Sequence, residues 1–146
     1  MNVAAPARVI EERMTAETAN LPTIEFVAPL PGFPAHRQFV LVRLDDEGLL
    51  YAMTSVADPE LRFLVMPPPT FFPDYAPEIG DDALELLGSP EAEQLLLLLV
   101  VTASEAQTTA NLLAPIIVDQ AHRRAVQVVL SGSGLPVRAQ LAAAAA

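Results

Sequence analysis

Thr108-Thr109-Ala110-Asn111-Leu112-Leu113-Ala114-Pro115-Ile116-Ile117-Val118, continuing through Asp119 to Gln127 and Leu130, is the stretch on which the reading of this chain turns. Thr108, Thr109 and Asn111 read as a polar turn into a strand, because their short side chains hydrogen-bond local backbone groups. From Asn111 to Leu130 the pattern is two strands joined by a polar loop, and paired residues must share a face. With Asp119 opposite Arg123 across Gln120-Ala121-His122, Ile117 opposes Ala125, Ile116 opposes Val126, Pro115 opposes Gln127 and Ala114 opposes Val128. Ala114, Ile116, Val118, Val126, Val128 and Leu130 then point inward, with Arg124 reaching for the rim, while Pro115, Ile117, Asp119 and Gln127 point outward. A slip of one residue would put Gln127 against Ile116 in the core. In the expected register Ile117 is an apolar residue on a face carrying Asp119, Arg123 and Gln127, which marks a binding surface. The plainer alternative is that helices or the segment 67–77 cover it, since a single exposed apolar residue needs no special explanation.

Working outward, short β-rich runs dominate. Ile24 and Phe26 alternate with Thr23 and Glu25; Phe39, Leu41 and Arg43 alternate with Val40, Val42 and Leu44; Leu49–Val56 and Leu61–Met66 follow. Asp45-Asp46-Glu47-Gly48 is a polar turn between two of them, with too few oxygen ligands for a calcium loop. Asp58-Pro59 marks the next, because proline fixes φ and biases its predecessor away from the helical region. The prolines from Pro67 to Pro77 exclude a central strand. That segment carries Phe71, Phe72 and Tyr75, which either plug the end of a barrel or face a partner; plugging is the favoured reading, since large aromatics contribute most when buried. Asp82-Ala83-Leu84-Glu85 has capping-box spacing, with Gly88 as a stop, and Ser89-Pro90 suits the start of a second short turn. Leu95-Leu96-Leu97-Leu98-Leu99-Val100-Val101 reads as a buried strand: it is well short of the roughly twenty residues that span a bilayer, and its β-branched end favours strand over helix. The fold class is therefore mainly β, with one or two short helices near residues 82–93. Residues 23–141 form the domain, between a loosely ordered arm (1–22) and an Ala-rich tail (142–146).

The chain of 146 residues suits one domain. It has no cysteine, hence no disulfide, thiolate metal site or thiol nucleophile, and a cytoplasmic setting is the default. Met1–Arg8 lacks the apolar core of a secretion signal. A net charge of −10 with no lysine speaks against direct nucleic-acid binding, which draws its affinity from cations on phosphates. A basic protein partner is compatible with that charge, although an acidic surface more often serves solubility.

No catalytic constellation emerges. His36 and His122 are the two histidines, neither at metal-ligand spacing, and both read as surface residues. Gly132-Ser133-Gly134 fails the nucleophile-elbow pattern, because Ser131 and Leu135 stand where glycines are required. There is no phosphate-cradling glycine loop. An enzyme remains open only through carboxylates that the sequence cannot pair.

The Thr108–Val118 stretch with Asp119, Gln127 and Leu130, together with Pro29-Leu30-Pro31-Gly32-Phe33, Ser55–Leu64 and Phe71-Phe72-Pro73-Asp74-Tyr75 in that order, resembles the flagellar assembly factor FliW family over roughly residues 24 to 141. The resemblance implies a compact β roll or pseudo-barrel, monomeric when free, with no cofactor, metal or enzymatic activity. It implies two cytoplasmic partners, flagellin and the RNA-binding regulator CsrA, bound in turn, with no nucleic acid or membrane bound directly. Ile117, Asp119 and Gln127, with Phe71, Phe72 and Tyr75, are the expected contact residues. Two departures stand out: the family often has asparagine where this chain has Asp119, and tyrosine where it has Leu135. The family's N-terminal strand is not recognisable before Ile24. A generic β-barrel binding or chaperone module for another partner is the competing class.

Overall fold

The structure, a computed structural model, describes residues 23–47, 49–69, 71–104 and 106–141. The arm read over 1–22 and the tail over 142–146 lie outside the described residues. The elements run β1 (Thr23–Phe26), β2 (Gln38–Arg43), β3 (Tyr51–Ser55), β4 (Arg62–Met66), helix α1 (Asp81–Leu86), a 3-10 turn (Ala92–Gln94), β5 (Leu95–Ala103), β6 (Thr108–Ala110), β7 (Ile116–Asp119), β8 (Arg124–Gln127) and β9 (Ala139–Gln140). The order β4-β3-β2-β1-β8-β7-β5 closes into a seven-strand barrel because β5 pairs back onto β4. The β1–β8 pairing is parallel, with Glu25 beside Arg124 and Phe26 beside Ala125, while every other ladder is antiparallel. The expected mainly β pseudo-barrel is the fold found.

Period-two alternation divides the apolar residues into three layers. Inside the barrel lie Ile24, Phe26, Phe39, Met53, Val65, Leu98, Ile116, Val118 and Ala125. Phe26 and Phe39 meet edge to face at 5.4 Å, and Phe33 caps Phe63 at the same separation. On the outside of β4 and β5, Met66, Leu99 and Val101 pack with Leu112 and Leu141 beneath Phe71, Phe72 and Tyr75. On the outside of β7 and β8, Ile117 and Val126 pack beneath Ala83 and Leu87, with Leu95 and Leu97 alongside. β5 thus has Leu96, Leu98 and Val100 facing the barrel and Leu95, Leu97, Leu99 and Val101 under two separate covers. A strand covered on both faces reads as an unbroken apolar run, which is why 95–101 shows no alternation.

Several local expectations are corrected. The Phe71–Tyr75 aromatics are half-buried, but they cover the outer face of β4 and β5 instead of plugging the barrel. The capping box is not made: the cap is Gly80, two residues before Asp82, extended and with no side-chain cap, and α1 starts at Asp81. Ser89 caps nothing; with φ 54 it follows Gly88 (φ 90) in the reversal that ends α1, where the Gly88 amide donates to Glu85 O and the Ser89 amide to Leu84 O. The 3-10 turn begins after Glu91. Thr108 and Thr109 belong to β6, which leaves Asn111 alone to make the turn.

Candidate partner-binding groove

The stretch Asn111–Pro115 interrupts what would otherwise be one long partner for β5. Leu98 pairs with Ile116 and Val101 with Ala110, so three residue steps along β5 are matched by six, and the excess is extruded between β6 and β7. Backbone groups that lose ladder partners must be satisfied otherwise. Asn111 Oδ1 accepts from the amides of Leu113 and Ala114 at 3.0 and 3.1 Å, Gln127 Nε2 donates to Ala114 O at 3.0 Å, and the Tyr75 hydroxyl donates to Leu112 O at 2.7 Å. The Leu112 amide donates to Pro136 O. The polar residues of the signature are therefore holding an irregular backbone in place. Burial of the phenol pushes the Tyr75 pKa up to about 12.

The β7–β8 hairpin is one residue out of the expected register. Asp119 pairs with Arg124, Val118 with Ala125, Ile117 with Val126 and Ile116 with Gln127. The cause lies in the loop. Asp119 Oδ1 accepts from the amides of Ala121 and His122 at 3.1 and 3.4 Å, and Oδ2 lies 2.9 Å from His122 Nδ1. Winding the loop around that carboxylate takes four residues and puts Arg123 at φ 58, a left-handed conformation an arginine tolerates at a cost. Asp119 is itself fully buried. Burial alone would push its pKa up; the hydrogen bond from the His122 ring, the Ala121 and His122 amides, and positive charge on that ring outweigh it, leaving the carboxyl below its ordinary value of 3.8.

The shift exchanges the faces of β8. Ala125, not Val126, enters the barrel, and Val126 and Val128 turn outward beneath α1. The surface positions expected for Ile117 and Asp119 are corrected separately: both are completely buried, Ile117 on the outer face as expected but under the helix that the plainer alternative allowed for. Gln127 faces a small space of about 110 Å³ at the barrel's end, with Met53, Phe63 and Ile116. Its bond to Ala114 O is what makes an amide tolerable opposite Ile116.

A concavity lies beside this hairpin, a groove of about 700 Å³. One wall is Pro77, Glu78, Gly80, Asp82, Ala83 and Leu86, from α1 and its approach; the rest is Val126–Ser131, Ser133 and Leu135. The wall is anchored from below, because Leu87 is fully buried and Ala83 nearly so against Ile117 and Val126. Aspartates 81 and 82 occupy the first turn, where the helix dipole favours them. The Arg124 guanidinium lies over Gly88, where a side-chain carbon would come within 3.5 Å of it. Leu86 and Val129 are 52 % and 56 % exposed, two of the four large apolar residues that stand out from the described surface. Glu78 and Asp82 put negative charge on the groove, and among the described residues no arginine lines it.

Gln127 alone among the expected contact residues lines this groove. Phe71 lines a separate apolar hollow of about 290 Å³ with Leu50, Leu64, Met66, Val101 and Leu141. Leu86, Val129, Glu78 and Asp82 are what the sequence reading missed. Two signals were present: Val128-Val129-Leu130 breaks the alternation of the hairpin strand, so one apolar residue has to face outward, and no arginine or lysine occurs between Arg62 and Arg123. Among the described residues no group of three or more His, Asp or Glu is placed to hold a metal ion.

The described chain is thus a closed barrel with an irregular stretch held by side chains and an apolar, acid-lined groove beside it. Comparisons with known proteins show its family. The family model described as FliW protein matches residues 9–141. "Flagellar assembly factor FliW 2" of Desulfotalea psychrophila is 37 % identical over 126 residues, covering 86 % of this chain and 82 % of that protein. "Flagellar assembly factor FliW" of Bacillus subtilis is 36 % identical over 112 residues, covering 75 % and 78 %. A crystal structure of the flagellar assembly factor FliW superimposes with a TM-score of 0.76 at 31 % identity, covering 82 % of this chain and 84 % of that one. The chain belongs to the FliW family of flagellar assembly factors.

Proposed function

We propose that this protein binds flagellin in the cytoplasm and, once export has drained that flagellin, binds and antagonises CsrA, relieving its repression of flagellin synthesis. The observation that carries this reading is the family match, which spans residues 9–141 and therefore the whole barrel with its groove. The physical features fit. The strongly acidic chain is unsuited to RNA but suited to a protein that itself binds RNA, because such a protein carries the cations that RNA recognition needs. The groove offers apolar surface at the scale of a peptide-binding site. Among the expected contacts, Gln127 sits at the groove, and Phe71, Phe72 and Tyr75 form a second apolar surface on the far side of β5. Ile117 and Asp119 act from beneath, through the wall and the hairpin loop they hold. The partner switch needs only overlapping or negatively coupled sites: a coupling of about 1.4 kcal/mol already changes affinity tenfold.

The test is a competition pull-down of the tagged protein with purified CsrA, with and without flagellin from the same source. Capture of CsrA that flagellin displaces is the expected result. Capture of neither protein would leave a barrel that serves some other partner.

A further inference from the structure

We infer that the groove between α1 and residues 126–135 is the docking site for a basic amphipathic segment of a partner protein, with apolar side chains seated on Leu86, Val126, Val128 and Val129 and cations over Glu78 and Asp82. This rests on the reading of the chain as a partner-binding assembly factor, and it assigns to the groove the cationic partner of the two. The space of about 700 Å³ accommodates several side chains, not one. Its floor is apolar, and two of its residues, Leu86 and Val129, are more than half exposed, so a partner can desolvate them without disturbing the barrel.

Charge complementarity chooses the occupant. Glu78 and Asp82 line the groove, Asp81 and Glu85 lie on the same helix, and Glu91 and Glu93 follow directly. No lysine or arginine occurs in that run, and the opposite wall contributes Ser131 and Ser133, which carry no charge. An acidic or neutral amphipathic segment would find the apolar floor but be repelled by, or gain nothing from, the rim. A basic one gains from both and is steered toward the groove at low ionic strength. Of the two proposed partners, the RNA-binding regulator must carry such cations, since phosphate contacts supply most RNA affinity.

The absence of cysteine from the chain makes the test direct. Single cysteines introduced as Val129→Cys in the groove and Val56→Cys at an exposed site outside it carry an environment-sensitive dye. The full chain is then titrated with CsrA and, separately, with flagellin, while pull-down reports binding independently. The expected result is a response to CsrA at position 129 and none at 56. The double variant Glu78→Gln, Asp82→Asn is expected to weaken CsrA binding about tenfold at low salt and to flatten its salt dependence, with an unchanged melting temperature. CsrA captured by pull-down while the dye at 129 stays silent would overturn the groove assignment and spare the partner reading. A dye at 129 that answers to flagellin alone would overturn the choice of a basic occupant. Capture of neither protein would overturn both readings.

Discussion

The β2–β3–β4 meander and the β6–β7–β8 region are built from the same kind of residue, yet they follow different rules. In the meander each strand pairs with its neighbour in sequence, from Phe39 opposite Ser55 to Thr54 opposite Arg62. Its turns are local: the Asp45 carboxylate accepts from the Leu49 and Leu50 amides, and Ser55 Oγ accepts from those of Ala57 and Asp58. In the signature region the backbone is satisfied at a distance, by Tyr75 from thirty-seven residues away and Gln127 from thirteen. The difference teaches that alternation decides structure where partners are local. Where a strand is interrupted, side chains from elsewhere decide it.

The largest test sets two apolar residues of the signature hairpin against each other. Ile117→Arg drives a charge under α1, where nothing pairs with it, and is expected to cost more than about 4 kcal/mol, enough to unfold much of the population. Val129→Arg places the same side chain on an exposed position and should change stability by no more than about 0.5 kcal/mol. Thermal melts of both variants check this. Equal melting temperatures would mean that Ile117 is at the surface after all and that α1 does not cover it.

A smaller effect separates two turn aspartates that do the same local work. Asp119→Ala strips the hairpin loop of its buried acceptor for two amides and the His122 ring, at about 3 kcal/mol, whereas Asp45→Ala in the half-buried meander turn costs about 1 kcal/mol. The pH dependence follows from the direction of the shift. The Asp119 carboxyl titrates below its ordinary value of 3.8 in the folded state, so its contribution is present above that value and lost as pH falls through the lower, folded one. Acid denaturation of wild type should therefore be steeper below about pH 4 than that of Asp119→Ala. Superimposable acid limbs would show that the carboxylate is not held in its loop as described.

The contrast also explains what was legible. The class, the meander and the buried β5 run could be read because alternation and turn residues are local signals. The resemblance found the motifs, and the structure gives their physical content: Gly32 takes φ 86 in the turn that bridges Leu30 to Phe33, Ser55 caps the Asp58-Pro59 turn, and Asn111 winds the extruded stretch. The hairpin register was not legible, because it depends on how many residues wrap the Asp119 carboxylate, and three or four fit the same sequence. One residue of error there inverted every face of β8, while Ile117, correctly placed on the outer face of β7, was left uncovered because the helix that packs over it gives no signal in the hairpin itself. The groove could not be found from that starting point, since its floor is the very set of residues, Val126 and Val128, that had been assigned to the barrel interior.

The finest test uses Tyr75, whose hydroxyl ties the proline-rich segment to the signature. Tyr75→Phe keeps the ring among Phe71, Phe72 and Leu112 and removes only the bond to Leu112 O, at a cost of about 1 kcal/mol near neutral pH. Its mark should be clearest in alkali. Burial raises the folded pKa from 10.0 to about 12, so the phenol stays protonated in the folded protein after it has ionised in the unfolded one. The stability it contributes is fully present below pH 10.0 and is lost as pH rises toward about 12. Denaturation midpoints of wild type should fall across that window more steeply than those of Tyr75→Phe, and the phenolate absorbance of a Tyr51→Phe background, which leaves Tyr75 as the one tyrosine, reports the titration directly. Parallel alkaline limbs would mean that the phenol is solvated and that the two regions are joined by ring packing alone, which would shrink the long-range half of the comparison to Gln127.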